Sequence, residues 1–160
     1  MDDDPSYQIT VTPVVHDAPP CAGRLAEIAA VVLQMHGASA ARLNIALVGD
    51  DQISQLHQQH LECEGPTDVL TFDLSDDQVP FKDSLAIEGE IVISVHTARR
   101  ESKERGHSLE AELCLYVVHG LLHLIGFEDG DPRSAARMHE EEDKLLTLAG
   151  VGSTYGSESR

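Results

Sequence analysis

The sequence predicts an α+β fold: a single domain over residues 1–149, with a mixed sheet of about four strands packed by helices around one buried helix. Three observations lead there. Runs of alternating or β-branched apolar residues are interleaved along the chain with segments whose apolar residues recur at helical spacing. A length of 160 residues with 41% hydrophobic content suits one sizeable core. The most apolar stretch, Leu113 to Phe127, is too short and too interrupted by histidine to span a bilayer, so it belongs inside that core.

Tyr7 to Val15 places Ile9 and Val11 on one face and carries Pro13 near its end, which predicts a first strand at a sheet edge. From Gly23 to Met35, Leu25, Ile28, Ala29, Val32 and Leu33 recur as on an amphipathic helix. Leu43, Ile45 and Leu47 alternate in a second strand, and Gly49-Asp50 then offers a turn and an N-cap for a helix through His60. Val69 to Leu74 and Glu90 to Val95 are two more strands. The acidic segment between them, Ser75 to Leu85 with Pro80, reads as an exposed loop. Thr97 to Arg105 is a charged helix stopped by Gly106. Ser108 caps the long apolar helix that follows, with Glu110 and Glu112 near its positive end. Arg133 to Ala149 makes a last amphipathic helix, and the Gly/Ser-rich tail over 150–160 buries too little apolar surface to order itself.

Charge and cysteine content narrow the function. With 28 acidic against 11 basic residues, the net charge of −17 excludes nucleic-acid binding by a general basic surface. Any attraction to RNA must be local, and DNA and membranes are not expected partners. Cys21, Cys63 and Cys114 form no C-x-x-C pair and read as reduced core thiols of a cytoplasmic protein. The opening Met1-Asp2-Asp3-Asp4 is the opposite of a basic signal segment.

The chemistry concentrates in His119-Gly-Leu-Leu-His123-Leu-Ile-Gly126-Phe-Glu-Asp129. Residues four apart share a helix face, so both imidazoles can reach one ion. A glycine in a left-handed conformation at position 126 would end the helix and fold the chain back, bringing Asp129 to the two histidines. Two imidazoles and a carboxylate suit one zinc ion, leave a position for water, and support hydrolysis through that water. A pair of core histidines satisfied by hydrogen bonds is the bland alternative, and it would favour an isolated H-x-x-x-H. The glycine and the carboxylate beyond it shift the balance to a metal site of His119, His123 and Asp129, with His139 and Glu128 as reserve third ligands. The spacing parallels the H-E-x-x-H-x-x-G-x-x-H pattern of metzincin proteases, but Gly120 stands where those enzymes keep their general-base glutamate.

Gly106-His107-Ser108, followed by Tyr116-Val-Val-His119-Gly-Leu-Leu-His123-Leu-Ile-Gly126-Phe127-Glu-Asp129, resembles the signature of the YbeY endoribonucleases, bacterial ribosomal RNA maturation factors. Gly65-Pro66-Thr67-Asp68-Val69-Leu70-Thr71-Phe72 is similar to that family's Pro-Thr-Asn/Asp-Val-Leu-Ser/Thr-Phe strand, and Gly89-Glu90-Ile91-Val92-Ile93-Ser94 to a third block. The resemblance covers most of residues 43–149. It implies a zinc-dependent, single-strand-selective endoribonuclease that works in ribosomal RNA maturation and ribosome quality control, with the small ribosomal subunit as partner. Two positions depart from the family: Asp129 stands where it has a histidine ligand, and Leu61 where it commonly has an arginine.

Other residues carry weaker signals. Thr67 and Asp68 position substrate by hydrogen bonds, or merely begin a strand. Arg99 is the candidate substrate cation in the dense basic stretch with Arg100, Lys103 and Arg105. That stretch also reads as a solvated face paired with Glu101 and Glu104. His57 and His60 read as exposed residues near a helix end. The competing functions are a metzincin-like peptide hydrolase and a ribosome-assembly factor with a structural metal.

Overall fold

The alternating runs fold as strands and the helical periods as helices in the computed structural model, which describes residues 6–61, 68–74 and 85–150. In chain order these are β1 (Ser6–Pro13), α1 (Ala22–Met35), β2 (Ala38–Val48), α2 (Asp50–Leu61), β3 (Val69–Asp73), β4 (Leu85–Ser94), α3 (Val95–Arg105), α4 (Leu109–Ile125) and α5 (Pro132–Leu148). The strands form one four-stranded mixed sheet in the order β1-β2-β4-β3. The β1/β2 and β2/β4 pairs are parallel and β3/β4 is antiparallel. The Pro13 strand therefore lies at an edge, as its missing N–H requires.

Side-chain alternation divides the interior in two. Leu43, Ile45, Leu47, Ile91 and Ile93 face the main core, where they meet Leu25, Ile28 and Val32 of α1 and Leu113, Val117 and Leu121 of α4. Ala46, Val48, Leu70 and Val92 face the opposite side, against Ile53 of α2. Each fully buried aliphatic side chain contributes about 1.5–3 kcal/mol. The α4 segment is accordingly the most apolar stretch of the sequence because it lies between α1, α3 and the sheet. It lies so close to the sheet that a Cβ at Gly120 would meet Ile91 Cγ2 at 2.9 Å and Thr71 Cγ2 at 3.0 Å.

Several boundaries move. β2 and β4 are longer than their hydrophobic centres suggested, because parallel pairing with each other extends from Ala38/Leu85 to Val48/Ser94. Asp50 is the first residue of α2 rather than its cap. Its carboxylate instead accepts hydrogen bonds from Ser94, Thr97 and Arg100, while the Gln52 side chain accepts from Gly49 N–H. Ser108 caps α4 as expected, accepting from Ala111 N–H at 3.0 Å. Asp131 caps α5 through Ser134 N–H at 2.9 Å, which the sequence reading did not identify. Of the acidic loop, residues 75–84 lie outside the described residues, as do 151–160 of the expected tail. Among the described residues, no single helix is long and apolar enough to cross a membrane.

Candidate metal centre

The last turns of α4 put His119 and His123 on the side facing α5. Helix α4 then stops at Gly126, whose φ of +127° is wider than the left-handed helical value of about +57° but equally foreign to an L side chain. The turn is closed by Phe127 N–H donating to Leu122 O at 2.8 Å and Gly126 N–H to Leu122 O at 3.0 Å. The chain folds back as the glycine predicted. Asp129 Oδ2 comes to rest 3.7 Å from Nε2 of each histidine.

The two imidazoles stand edge to face, ring centres 4.6 Å apart, with their Nε2 atoms 3.1 Å from one another. Each ring is fixed through its other nitrogen. His119 Nδ1 lies 2.6 Å from Glu142 Oε2, and His123 Nδ1 lies 3.1 Å from Phe127 O. A carbonyl oxygen and a carboxylate can only accept, so both Nδ1 atoms carry the hydrogen. Each neutral ring then turns its Nε2 acceptor toward the other, and a shared cation, a proton or a metal ion, satisfies both. Two ligands about 2.0–2.1 Å from a tetrahedral ion lie about 3.3 Å apart, close to the spacing seen. Among the described residues, His119, His123 and Asp129 are the group whose ligand atoms, all within 4.8 Å of one another, can hold a metal. Asp129 is 43% exposed and the histidines 25% and 29%, so the group opens to solvent on the carboxylate side.

Glu142 is the residue of the candidate site that sequence reasoning missed. It is fully buried on α5, and its second oxygen, Oε1, has no hydrogen-bond partner among the described residues. Burial pulls the His119 imidazole down, but the bond to Glu142 and the charges of Glu142, Asp129 and Asp68 outweigh it and hold His119 above the usual histidine value. A signal for Glu142 existed: Met138, Glu142, Leu145 and Leu146 fall on one buried stripe of α5, so this glutamate occupies an apolar phase.

The remaining candidates are distributed elsewhere. Asp68 is exposed just before β3, and its charge reaches His119. Thr67 lies outside the described residues, as do the side chains of His57, His60 and Leu61 and the whole of Cys63. Arg99 is committed to Asp17, with Nη1 2.9 Å from Oδ2 and Nη2 on the backbone oxygen. The basic helix face is indeed paired, though mostly with acids outside it: Arg100 with Asp50 at 2.9 Å and Arg105 with Glu112 at 3.3 Å, besides Glu101 at 3.6 Å. Glu128 and His139 are exposed and stand outside the metal group. Cys21 and Cys114 are free buried thiols, and burial pushes Cys114 up to about 12. The contact at Gly120 explains why no general base occupies that position, since even a Cβ is crowded there.

Comparison with known proteins places this geometry in a family. A family model for endoribonuclease YbeY matches residues 21–150. Relatives of that name include one from Salinibacter ruber, 36% identical over 127 residues that make up 78% of this chain and 81% of the relative. Another, from Heliobacterium modesticaldum, is 38% identical over 116 residues, 68% of this chain and 70% of the relative. The solution structure of a Thermotoga maritima protein matches with a TM-score of 0.54 at 25% identity, covering 88% of this chain and 91% of that one.

Proposed function

The chain belongs to the endoribonuclease YbeY family, hydrolytic nucleases of ribosomal RNA processing, and on that premise we propose that it is a metal-dependent, single-strand-selective endoribonuclease of ribosomal RNA maturation and ribosome quality control. The observation that carries the reading is the pair of Nε2 atoms 3.1 Å apart beside the Asp129 carboxylate. His119, His123 and Asp129 would hold one zinc ion, and the nitrogen-oxygen donor set fits that metal. Zinc bound there supplies Lewis acidity and lowers the pKa of a water molecule toward neutrality. The protein's own part is to fix the donors. Glu142 and the Phe127 carbonyl hold the two rings, the Gly126 turn holds Asp129, and the solvent-open side admits a phosphodiester.

Thr67 and Asp68 at the opening of β3 are the proposed substrate-positioning residues, and the reach of the Asp68 charge to His119 supports that role. Arg99 would have to exchange Asp17 for a phosphate, so its contribution to substrate binding is the smaller. A surface of −17 repels RNA at large, which fits recognition of ribosomal RNA on the small subunit in the cytoplasm rather than free capture of any strand.

Zinc-loaded protein incubated with unstructured RNA and with unfolded polypeptide tests the reading. RNA is cut, polypeptide is spared, and chelator stops the cleavage until zinc is returned. Intact RNA in the presence of bound zinc would overturn it. Four protein ligands in an X-ray absorption spectrum would favour a structural metal instead.

A further inference from the structure

Resting on the reading above, we propose that the groove beside the Gly126 turn seats a nucleotide of the single-stranded RNA adjacent to the cleaved phosphodiester, with Arg137 holding that nucleotide's phosphate. The groove has a volume of about 480 Å³ and is lined by Ile125, Gly126, Phe127, Glu128, Ser134 and Arg137. Small-ligand sites run from about 300 to 1,000 Å³, so one nucleotide fits. Four of the six lining residues are the chain between His123 and Asp129, so the groove lies beside the turn that links two of the candidate metal ligands.

The walls match the two halves of a nucleotide. Ile125 and Phe127 are half-buried against the main core and give the groove an apolar side. The Phe127 ring is held edge-on by His36, with ring centres 5.6 Å apart at 89°, so the wall is set before anything binds. An unstacked base of a single strand can lie on such a surface, whereas a base inside a duplex cannot leave its stack without cost.

The α5 part of the lining supplies the cation. Every arginine of α1, β2 and α3 has a carboxylate within 4 Å, at 3.0 Å for Arg24, 3.8 Å for Arg42, 2.9 Å for Arg99 and Arg100, and 3.3 Å for Arg105. Arg137 is exposed and has no such pair among the described residues. Asp131 is the acid on which it bears, and both of that carboxylate's oxygens already accept from Ser134, Oδ1 from N–H and Oδ2 from the hydroxyl. The guanidinium fork makes no ion pair within 4 Å among the described residues, and its geometry matches two phosphate oxygens. Glu128 on the same groove opposes the phosphate and keeps binding modest.

The test compares Arg137→Ala and Arg137→Lys with the unaltered zinc enzyme, using steady-state cleavage of an unstructured RNA at several salt concentrations. We expect Arg137→Ala to raise KM about fivefold with kcat changed less than about twofold. Bound zinc should be unchanged, and the logarithmic salt slope of kcat/KM should fall by about 0.7, one phosphate contact of a single strand. Arg137→Lys should lie between the two. Unchanged KM and salt slope in Arg137→Ala, with the unaltered enzyme active, would overturn the groove and leave the nuclease reading standing. Loss of zinc from Arg137→Ala would also overturn it, by making the arginine a support of the metal centre. An unaltered zinc enzyme that cuts no RNA would remove the nuclease reading itself.

Discussion

Among the described residues, two carboxylates are withdrawn completely from solvent, Glu112 near the start of α4 and Glu142 on α5, and their surroundings differ in kind. Glu112 has two basic side chains beside it: Arg105 Nη1 lies 3.3 Å from Oε2, and His107 Nε2 is hydrogen-bonded to Oε1. Glu142 has a single partner, Nδ1 of His119, and that ring passes the contact on to an open trio of donors. The first is a cluster that ends in its own basic partners and joins the end of α3 to α4, although Glu112 Oε2, like Glu142 Oε1, accepts no hydrogen bond among the described residues. The second has unfinished chemistry, a buried carboxylate whose one partner points its other nitrogen at that of His123. Burial alone therefore does not mark a functional carboxylate, and what distinguishes this pair is whether the chain of contacts closes.

If that distinction holds, substitutions in the open cluster move metal binding and those in the closed one move folding. The largest effect is expected for His119→Ala and Asp129→Ala, because losing one of three protein ligands leaves an ion poorly held. Both variants should lose bound zinc and RNA cleavage. Asp129→His should keep zinc, because the Gly126 turn sets the position. Zinc at the level of the unaltered protein in Asp129→Ala would move the third ligand elsewhere. Next, Glu112→Ala should lower unfolding stability by about 3–5 kcal/mol, the cost of stranding a buried ionic partner. Zinc per folded molecule should stay the same, and a drop in it would erase the contrast between the two carboxylates. Glu142→Gln should weaken zinc about 10- to 100-fold, measured by competition with a chelator, as removal of a charged ring-orienting group does. If zinc affinity is unaltered, Glu142 is merely another structural acid.

The smallest effect sharpens the comparison from a half-buried carboxylate. Partial burial pushes the Asp50 carboxyl up, but hydrogen bonds from Ser94, Arg100 and Thr97 outweigh it and hold it at about 2. A group held below its unfolded value of about 3.9 stabilises the fold fully above that pH and loses its contribution as pH falls toward 2. Asp50→Asn should therefore cost about 1–2 kcal/mol at pH 7, and the difference should shrink through the window from pH 4 to pH 2. Acid titrations of the two proteins that run parallel across that window would contradict the assignment.

The sequence made the interleaved strands, the helices and the two-histidine face readable because these depend on local periodicity. It also carried the Gly126 turn, so Asp129 could be placed from the eleven residues His119 to Asp129. Glu142 was hidden by its company. It belongs to the acidic run Glu140-Glu141-Glu142-Asp143, which reads as a solvated helix face, and it meets His119 across 23 positions of sequence. Asp50 misled for a related reason. An aspartate after a glycine is the usual sign of a cap, whereas its real partners sit 44 to 50 residues away on β4 and α3. Likewise, the pairing of Arg99 with Asp17, 82 positions apart, leaves no trace in local pattern.

The bond between Glu142 and His119 also makes the last helix a reporter. It ties α5 to the ring of α4 that would carry the ion, so occupancy of the centre and closure of α5 share one opening equilibrium. A ligand that binds only the closed form suppresses opening in proportion to its concentration over its dissociation constant. Amide hydrogens along α5 should then exchange more slowly as zinc is added, while those of β1, at the far edge of the sheet, keep their pace. A helix with no ligand of its own would thus record how full the neighbouring site is.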